Sequence, residues 1–242
     1  MVGPRHWEFF GVWVLAFGIC FRMRLERFIH HARVELPPAG ETATEARERL
    51  REKFPRPALR RMTHLGMLLG STVDGLALSP EDAVVYASTY AETRALEEFL
   101  TSFRAASPLL FQTSIHPGGV QQVLIGRQQP IARLWPLAGR ARLVEQALLT
   151  AMMETAPRCI VIGGEERGTW LLECGMASDR AFAFALDLRR EVEGAAGRIV
   201  FDSAAGHDVE KSPALIDLTE ALVARRALEW RGVDGGWIIE WR

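Results

Sequence analysis

Cys159-Ile-Val-Ile-Gly-Gly-Glu165 is the stretch that decides the fold. Its first four residues are apolar and do not alternate with polar ones, which is typical of a strand buried on both faces. The pair Gly163-Gly164 predicts the end of that strand. Because strands of this kind belong to sheets covered by helices on both faces, we expect an α/β layered fold around it.

The chain on either side of this strand alternates between strand and helix patterns. Further strands are predicted at residues 83–88, 131–135, 181–188 and 199–201. Helices are predicted at residues 42–54, 57–76, 91–104, 114–127, 139–154 and 212–226. Near the C-terminus, two tryptophan-containing stretches flank Val233-Asp-Gly-Gly236, which predicts a β-hairpin. This order of elements indicates one α/β domain over residues 1–242.

The N-terminal part of the chain is harder to assign. Residues 9–21 (FFGVWVLAFGICF) form an uncharged run that is too short for a membrane-spanning helix, which needs about 20 apolar residues. No signal-peptide cleavage site follows it. We expect a buried strand or packed segment here, and the alternative is a peripheral membrane contact. Residues 35–41 (ELPPAGE) predict a linker, so residues 1–41 form an unassigned N-terminal segment.

The composition excludes several classes of function. Apolar residues make up 48% of the chain, and its 29 basic and 30 acidic residues give a net charge of −1, so the charge favours neither nucleic acid nor an anionic membrane as a partner. The three cysteines, Cys20, Cys159 and Cys174, form no CxxC pair and no ligand set with the six histidines. We therefore expect free thiols, a reducing cytoplasmic location, no metal and no cofactor.

Three stretches resemble the β-ketoacyl synthases of the thiolase superfamily. The Gly-Gly-Glu strand is similar to the strand that follows the nucleophile helix of that family, and residues 181–188 resemble the next strand of the same sheet. Residues 107–116 (SPLLFQTSIH) resemble the segment that crosses the dimer interface near the acyl pocket. Within the superfamily the likeness is to the short chain-length factors that stop after the first thiolase half, and it spans residues 57–242.

The resemblance implies a thiolase-like layered fold of one half only, ending in the C-terminal β-hairpin. It also implies a missing nucleophile, because a condensing enzyme places a cysteine on a sharp turn between a strand and a helix, in the pattern Cys-Ala-x-Gly. The corresponding stretch here is Arg133-Leu-Trp-Pro-Leu-Ala-Gly139, and counting back from Gly139 puts Pro136 at the position of the cysteine. Proline cannot form an acyl intermediate. The catalytic histidines of the family lie in the half that this chain lacks, so the resemblance implies a non-catalytic protein.

The function that the resemblance implies is that of a chain-length-factor-like subunit. Such a subunit pairs as a heterodimer with a full-length ketosynthase and meets acyl carrier protein through the complex, in polyketide (for example polyene) or fatty-acid-type chain building. Phe111, Ser114 and His116 are then candidates for the interface and the end of the acyl tunnel. Because one half alone leaves an apolar face uncovered, we expect an obligate partner. Product length, starter acid and final metabolite stay open.

Two other functions stay open as well. One is a stand-alone acyltransferase or hydrolase that uses Cys174 or Ser114 with His116, although an unreactive thiol is the simpler interpretation of Cys174 because no histidine lies near it in sequence. The other is a scaffold that only stabilises the ketosynthase. His116 suits either a place beside the tunnel or a backbone hydrogen bond at a helix start. Glu165-Glu166 is expected at a solvated or salt-bridged turn.

Overall fold

The computed structural model describes residues 22–205 and 212–242, so the strand expected at residues 9–21 lies outside the described residues. The strands are β1 (Arg24–Glu35), β2 (Ala83–Ser88), β3 (Arg133–Ala138), β4 (Arg158–Glu165), β5 (Phe182–Arg189), β6 (Gly197–Asp202), β7 (Leu228–Gly232) and β8 (Gly235–Trp241). The helices are α1 (Ala43–Arg49), α2 (Arg56–Leu59), α3 (His64–Thr72), α4 (Thr93–Thr101), α5 (Pro108–Thr113), α6 (Gly118–Arg127), α7 (Leu143–Met153), α8 (Trp170–Glu173) and α9 (Leu215–Ala224), with a 3-10 turn at Arg51–Lys53.

The eight strands form one sheet in the order β3-β2-β4-β5-β1-β6-β8-β7. At one end of it β3, β2 and β4 run parallel, whereas the other pairings are antiparallel. The sheet is therefore mixed, with a parallel end and an antiparallel end. The α/β layered fold expected from the sequence is confirmed, and β7 and β8 form the predicted C-terminal hairpin.

The strand that carries the fold is longer than predicted. β4 continues through Gly163-Gly164 to Glu165 instead of ending at the two glycines. A Cβ at Gly163 would collide with the Phe184 ring of β5, and one at Gly164 would lie 2.7 Å from the carbonyl oxygen of Phe182. These glycines therefore let β5 approach closely and do not turn the chain.

β1 is a central strand that the sequence did not predict. It lies between β5 and β6, so residues 24–35 of the unassigned N-terminal segment belong to the sheet, and the predicted linker begins only after Glu35. Its Arg27 side chain is only 1% exposed, and the guanidinium donates to the backbone carbonyls of Glu154, Ala156 and Pro157. An arginine normally indicates a surface position, so the sequence of β1 does not look like that of a core strand. Here the backbone carbonyls compensate for the burial of its charge.

Helices cover both faces of the sheet. The buried residues of α3 and α6 pack on one face, and those of α7 and α9 pack on the other. The expectation that a whole apolar face stays uncovered is therefore wrong for the sheet, because the chain supplies its own helical layers. Large apolar side chains are instead exposed on α5, α6, β3 and the loops that follow α4 and α5: Phe103, Leu109, Phe111, Ile115, Ile125 and Trp135.

Capping side chains explain where several helices differ from their predicted ranges. The helix predicted at residues 57–76 is two helices, because the Thr63 side chain accepts the Gly66 N–H and starts α3. Ser107 caps α5 in the same way. The last helix begins after Ala214, whose N–H donates to the Asp217 carboxylate, and not at Ser212.

Candidate functional site

The turn between β3 and α7 is the place where the resemblance expects a nucleophile. The prediction that Pro136 occupies this turn is wrong, because Pro136 lies within β3 and pairs with Tyr86 of β2. The strand ends at Ala138, and Gly139 follows with its N–H donating to the Ser88 carbonyl at 3.3 Å. Proline is tolerated here because β3 is the edge strand of the sheet.

The turn itself consists of Gly139-Arg140-Ala141-Arg142 and carries neither a thiol nor a hydroxyl group. The Arg140 guanidinium lies over the Tyr90 ring at 4.9 Å and donates to the Gly175 carbonyl. Arg142 forms ion pairs with Glu145 at 2.6 Å and with Asp234. Two guanidinium groups, held by contacts within the chain, therefore occupy the turn, and neither can accept an acyl group.

The free edge of β3 lies directly before this turn. Arg133, Trp135, Pro136 and Ala138 are exposed along it. The Trp135 indole donates to Glu154 Oε2 at 2.7 Å, and Arg133 contacts the same carboxylate at 2.6 Å. The hydrogen bond from Arg133 and those from Trp135 and the backbone outweigh burial and lower the pKa of Glu154 to about 2. The half-exposed indole is thus held in a fixed position on the edge.

Residues 107–116 form α5 and its exit. Phe111 is 52% exposed, and its ring lies 5.3 Å from that of Phe99, which in turn lies 5.4 Å from Phe103. We call these three residues the α4–α5 aromatic cluster. The Ser114 hydroxyl donates to the Phe111 carbonyl at 2.8 Å and so closes the helix. Phe111 is therefore a surface residue that leans on its neighbours and not a core residue.

His116 belongs to a buried group at the ends of α4 and α6. Its Nδ1 lies 3.0 Å from Glu92 Oε2, and its ring stacks on Tyr86 at 4.9 Å. The other oxygen of Glu92 accepts the Tyr86 hydroxyl at 3.2 Å and the Gly119 N–H at 2.9 Å. Burial, reinforced by nearby carboxylates, raises the pKa of Tyr86 well above its ordinary value. The partner of His116 is thus a buried carboxylate and not the backbone.

Glu165 and Glu166 are both buried, so the expectation of a solvated turn is wrong. Glu165 accepts the Ser88 hydroxyl at 3.1 Å and the Thr89 N–H. Glu166 accepts the Leu65 N–H at 3.0 Å, while its Oε1 has no partner within the described residues. Burial raises the pKa of Glu165 to about 7 and that of Glu166 to about 8. A clue in the sequence is that Glu165 ends a strand buried on both faces and Glu166 directly follows it.

The stand-alone enzyme interpretation needs a nucleophile beside His116. Cys174 is exposed at the end of α8, and Cys159 is buried in β4, where burial raises its pKa to about 12. Within the described ranges, no hydrogen bond joins His116 to Ser114 or Cys174. The described residues also hold no cluster of three or more His, Cys, Asp or Glu side chains that suits a metal ion. None of the helices in those ranges has the length and apolarity to cross a membrane.

Known structures share this architecture. A chain from the complex of a ketosynthase with its chain length factor from Xenorhabdus doucetiae superposes with a TM-score of 0.60 at 18% identity, covering 89% of this chain and 99% of that one. The ishigamide ketosynthase/chain length factor superposes with a TM-score of 0.50 at 12% identity, covering 69% and 59%. No protein-family model and no curated protein matches the sequence. The resemblance to ketosynthases and chain-length factors is thus confirmed at the level of the thiolase-like fold.

Proposed function

We propose that the protein is a non-catalytic, chain-length-factor-like subunit that forms a heterodimer with a full-length ketosynthase. The observation that carries the proposal is the outer edge of β3. This strand pairs with β2 on one side, has no strand on its other side among the described residues, and exposes the apolar side chains of Trp135 and Ala138. An exposed apolar edge strand invites pairing or aggregation, and soluble proteins normally protect such an edge. A partner subunit that covers β3 removes this liability.

The chemistry of the turn after β3 supports the non-catalytic part of the proposal. A condensing enzyme needs a nucleophile at the start of the following helix, where the helix dipole stabilises a thiolate. Here Gly139 opens the turn, and Arg140 and Arg142 are engaged with other parts of the chain. The carbon–carbon bond is then formed in the ketosynthase partner, which receives its substrates on acyl carrier protein.

The α4–α5 aromatic cluster supports a contribution to product length. Of the three candidates on this segment, Phe111 is the one whose side chain is more than half exposed. The Ser114 hydroxyl and the His116 ring already bond within the chain. We therefore assign contact with the end of the acyl tunnel to Phe111, while Ser114 and His116 position its helix. The products whose length this subunit would limit are polyketides, for example polyenes.

Co-expression with a ketosynthase that is encoded beside this protein tests the proposal. We expect a one-to-one complex in gel filtration, with aggregation or self-association of the chain when it is expressed alone. The interface between the two subunits should bury at least about 1,600 Å², the standard size for a stable complex. A well-behaved monomer that no ketosynthase retains would refute the subunit function.

Intact-mass spectrometry tests the non-catalytic part separately. The isolated chain is incubated with acyl-loaded carrier protein, and no acyl adduct should form. Pro136→Cys should also stay inactive, because residue 136 lies within β3 and not at the start of a helix, where the helix dipole would stabilise a thiolate. A stable adduct on Cys174 or Ser114 would favour the acyltransferase or hydrolase instead.

A further inference from the structure

A second surface, separate from the β3 edge, lies between α2, α5 and α6. It is an open groove of about 1180 Å³. Gly126 of α6 brings the helices together, since a Cβ there would lie 2.9 Å from Ala58 Cβ of α2. The Gln122 side chain accepts the Thr63 N–H at 2.9 Å and ties α6 to the start of α3. The walls of the groove are thus fixed by contacts between helices.

The charges of this groove are one-sided. Lys53, Arg61 and Arg127 line it, and no aspartate or glutamate does. Lys53 lies 3.8 Å from Glu35 and Arg127 lies 3.1 Å from Asp74, so Arg61 is the lining cation without an ion pair among the described residues. Arg56 and Arg60 add two further exposed cations on α2 and its end. Neither of them, nor Arg61, forms an ion pair within the described part of the chain. In a protein with a net charge of −1, this local excess of arginine is a positive surface that attracts an acidic partner.

The groove also has an apolar centre. Ile125 of α6 is 76% exposed, the largest value among the large apolar side chains that the structure describes, and Leu109 of α5 is 55% exposed. Both line the groove, together with five glutamines that supply neutral hydrogen-bonding groups: Gln112, Gln121, Gln122, Gln128 and Gln129. An apolar centre with a polar rim is the usual arrangement of a protein-binding surface.

We propose that this groove binds an acidic amphipathic helix of a partner protein. The apolar face of that helix would cover Ile125 and Leu109, and its carboxylates would meet Lys53, Arg56 and Arg61. The groove is open along its length and does not enclose a ligand, whereas small-molecule pockets bury most of the ligand surface, which favours a protein segment over a metabolite. Helices that lie in grooves between helices are a recurrent form of recognition. The groove shares α5 with the segment that the proposed function assigns to the acyl tunnel, but it includes neither β3 nor Phe111.

Fluorescence anisotropy with a labelled synthetic peptide tests the inference. The peptide carries leucines on one helical face and glutamates on the other, and a scrambled peptide of the same composition is the control. The amphipathic peptide should bind at least about tenfold more tightly than the scrambled one. Its binding should also weaken when the salt concentration of the buffer is raised from about 50 to about 300 mM. Equal binding of the two peptides, or stronger binding of a lysine version, would overturn the inference.

Matched variants locate the site. Arg56→Glu combined with Arg61→Glu should weaken peptide binding by about tenfold or more, whereas Arg231→Glu on β7 should leave it unchanged. Ile125→Ser should weaken binding several-fold, whereas Val223→Ser, at a 55% exposed position of α9, should not. Unchanged binding by the double variant would overturn the inference. So would loss of the ketosynthase complex in that variant, because the groove would then belong to the ketosynthase interface.

Discussion

The two ends of the sheet differ in almost every physical respect. At the β3 end the strands are parallel, the edge exposes Trp135, Pro136 and Ala138, and buried carboxyl groups lie beside the strand ends. At the β7 end the strands are antiparallel, and the edge exposes the charged residues Glu229 and Arg231. Charged side chains and proline on an edge strand hinder unwanted pairing. β3 carries one of each, Arg133 and Pro136, but unlike β7 it also exposes a large apolar side chain, that of Trp135.

The difference indicates which edge of the sheet is stable in contact with solvent and which edge is suited to a partner. The β7 hairpin folds onto β6, where Arg198 bridges Glu240 and Glu26, the latter at 3.1 Å, so neighbouring strands are joined across their exposed surface. β3 contacts a single neighbouring strand, and its exposed indole is held in place by Glu154. A surface that is apolar, ordered and unpaired is typical of an interface.

The largest effect is expected from a charge on the apolar edge. Ala138→Asp should weaken the complex with the ketosynthase by at least about 100-fold, because the new carboxylate would be buried without a partner. Glu229→Lys is the matched change on the charged edge and should leave the affinity within about twofold of the wild type. Isothermal titration or quantitative pull-down measures both. Equal effects of the two substitutions would remove the distinction between the edges.

A decline of stability between pH 5 and pH 8.5 should originate at the parallel end of the sheet, where the two carboxyl groups with raised pKa values lie. The pKa values of Glu165 and Glu166 rise to about 7 and about 8 in the folded protein, so the folded state keeps protons that the unfolded state has released. Their contribution is fully present below the ordinary carboxyl pKa and is lost as the pH rises towards 8. The free energy of unfolding, measured with urea at pH 5 and at pH 8.5, should show this decline.

Glu166→Gln isolates that contribution, because the amide stays neutral and can still accept the Leu65 N–H. Between these two pH values, the free energy of unfolding of the variant should fall by roughly 2–4 kcal/mol less than that of the wild type. Glu173→Gln, at an exposed position of α8, is the control and should decline as the wild type does. A wild-type decline that Glu166→Gln does not reduce would show that burial of this carboxyl is not its cause.

A smaller effect is expected at the α4–α5 aromatic cluster. Phe111→Ala should shift the products of the reconstituted pair towards longer chains. Each CH₂ group that leaves water gains about 0.8 kcal/mol, so the ratio of products that differ by one methylene should change several-fold. Because Phe111 is half exposed, the complex should survive. Phe103→Ala, at the other end of the cluster, is the control. Intact complexes with unchanged product lengths in both variants would favour a scaffold that only stabilises the ketosynthase.

The smallest effect belongs to the antiparallel end. The Arg198 side chain is 43% exposed, and exposed ion pairs contribute little. Arg198→Gln should therefore leave the urea midpoint of unfolding close to that of the wild type and leave the complex intact. Urea midpoints and gel filtration of the variant give both values. A loss of the complex would mean that the partner contacts the β7 end after all.

The sequence was most informative where burial follows from local pattern. β2, β4 and β5 are continuous apolar runs, and the hairpin has its own turn signal, so these elements were predictable. β1 was not, because its core position includes Arg27, whose charge is accommodated by carbonyls more than a hundred residues away in the chain. Tertiary contacts of that kind leave no local trace in a sequence.

The candidate site was predictable in part for the same reason. Residue types alone show that residues 133–142 carry neither a thiol nor a hydroxyl group, although the strand continues past Pro136 and moves the turn to Gly139. Burial of Glu165 and Glu166 depends on Ser88, Thr89 and Leu65, which come from other elements. Residue identities therefore indicated what the site lacks, and only the fold showed which groups meet there.

Hydrogen–deuterium exchange of the ketosynthase complex tests the central claim most directly. Formation of the complex should slow amide exchange across β3 and the turn that follows it, residues 133–142. Exchange across β7, residues 228–232, should stay as it is in the free chain. Slower exchange at β7 with no change at β3, or no change at either edge, would contradict pairing through the apolar end of the sheet.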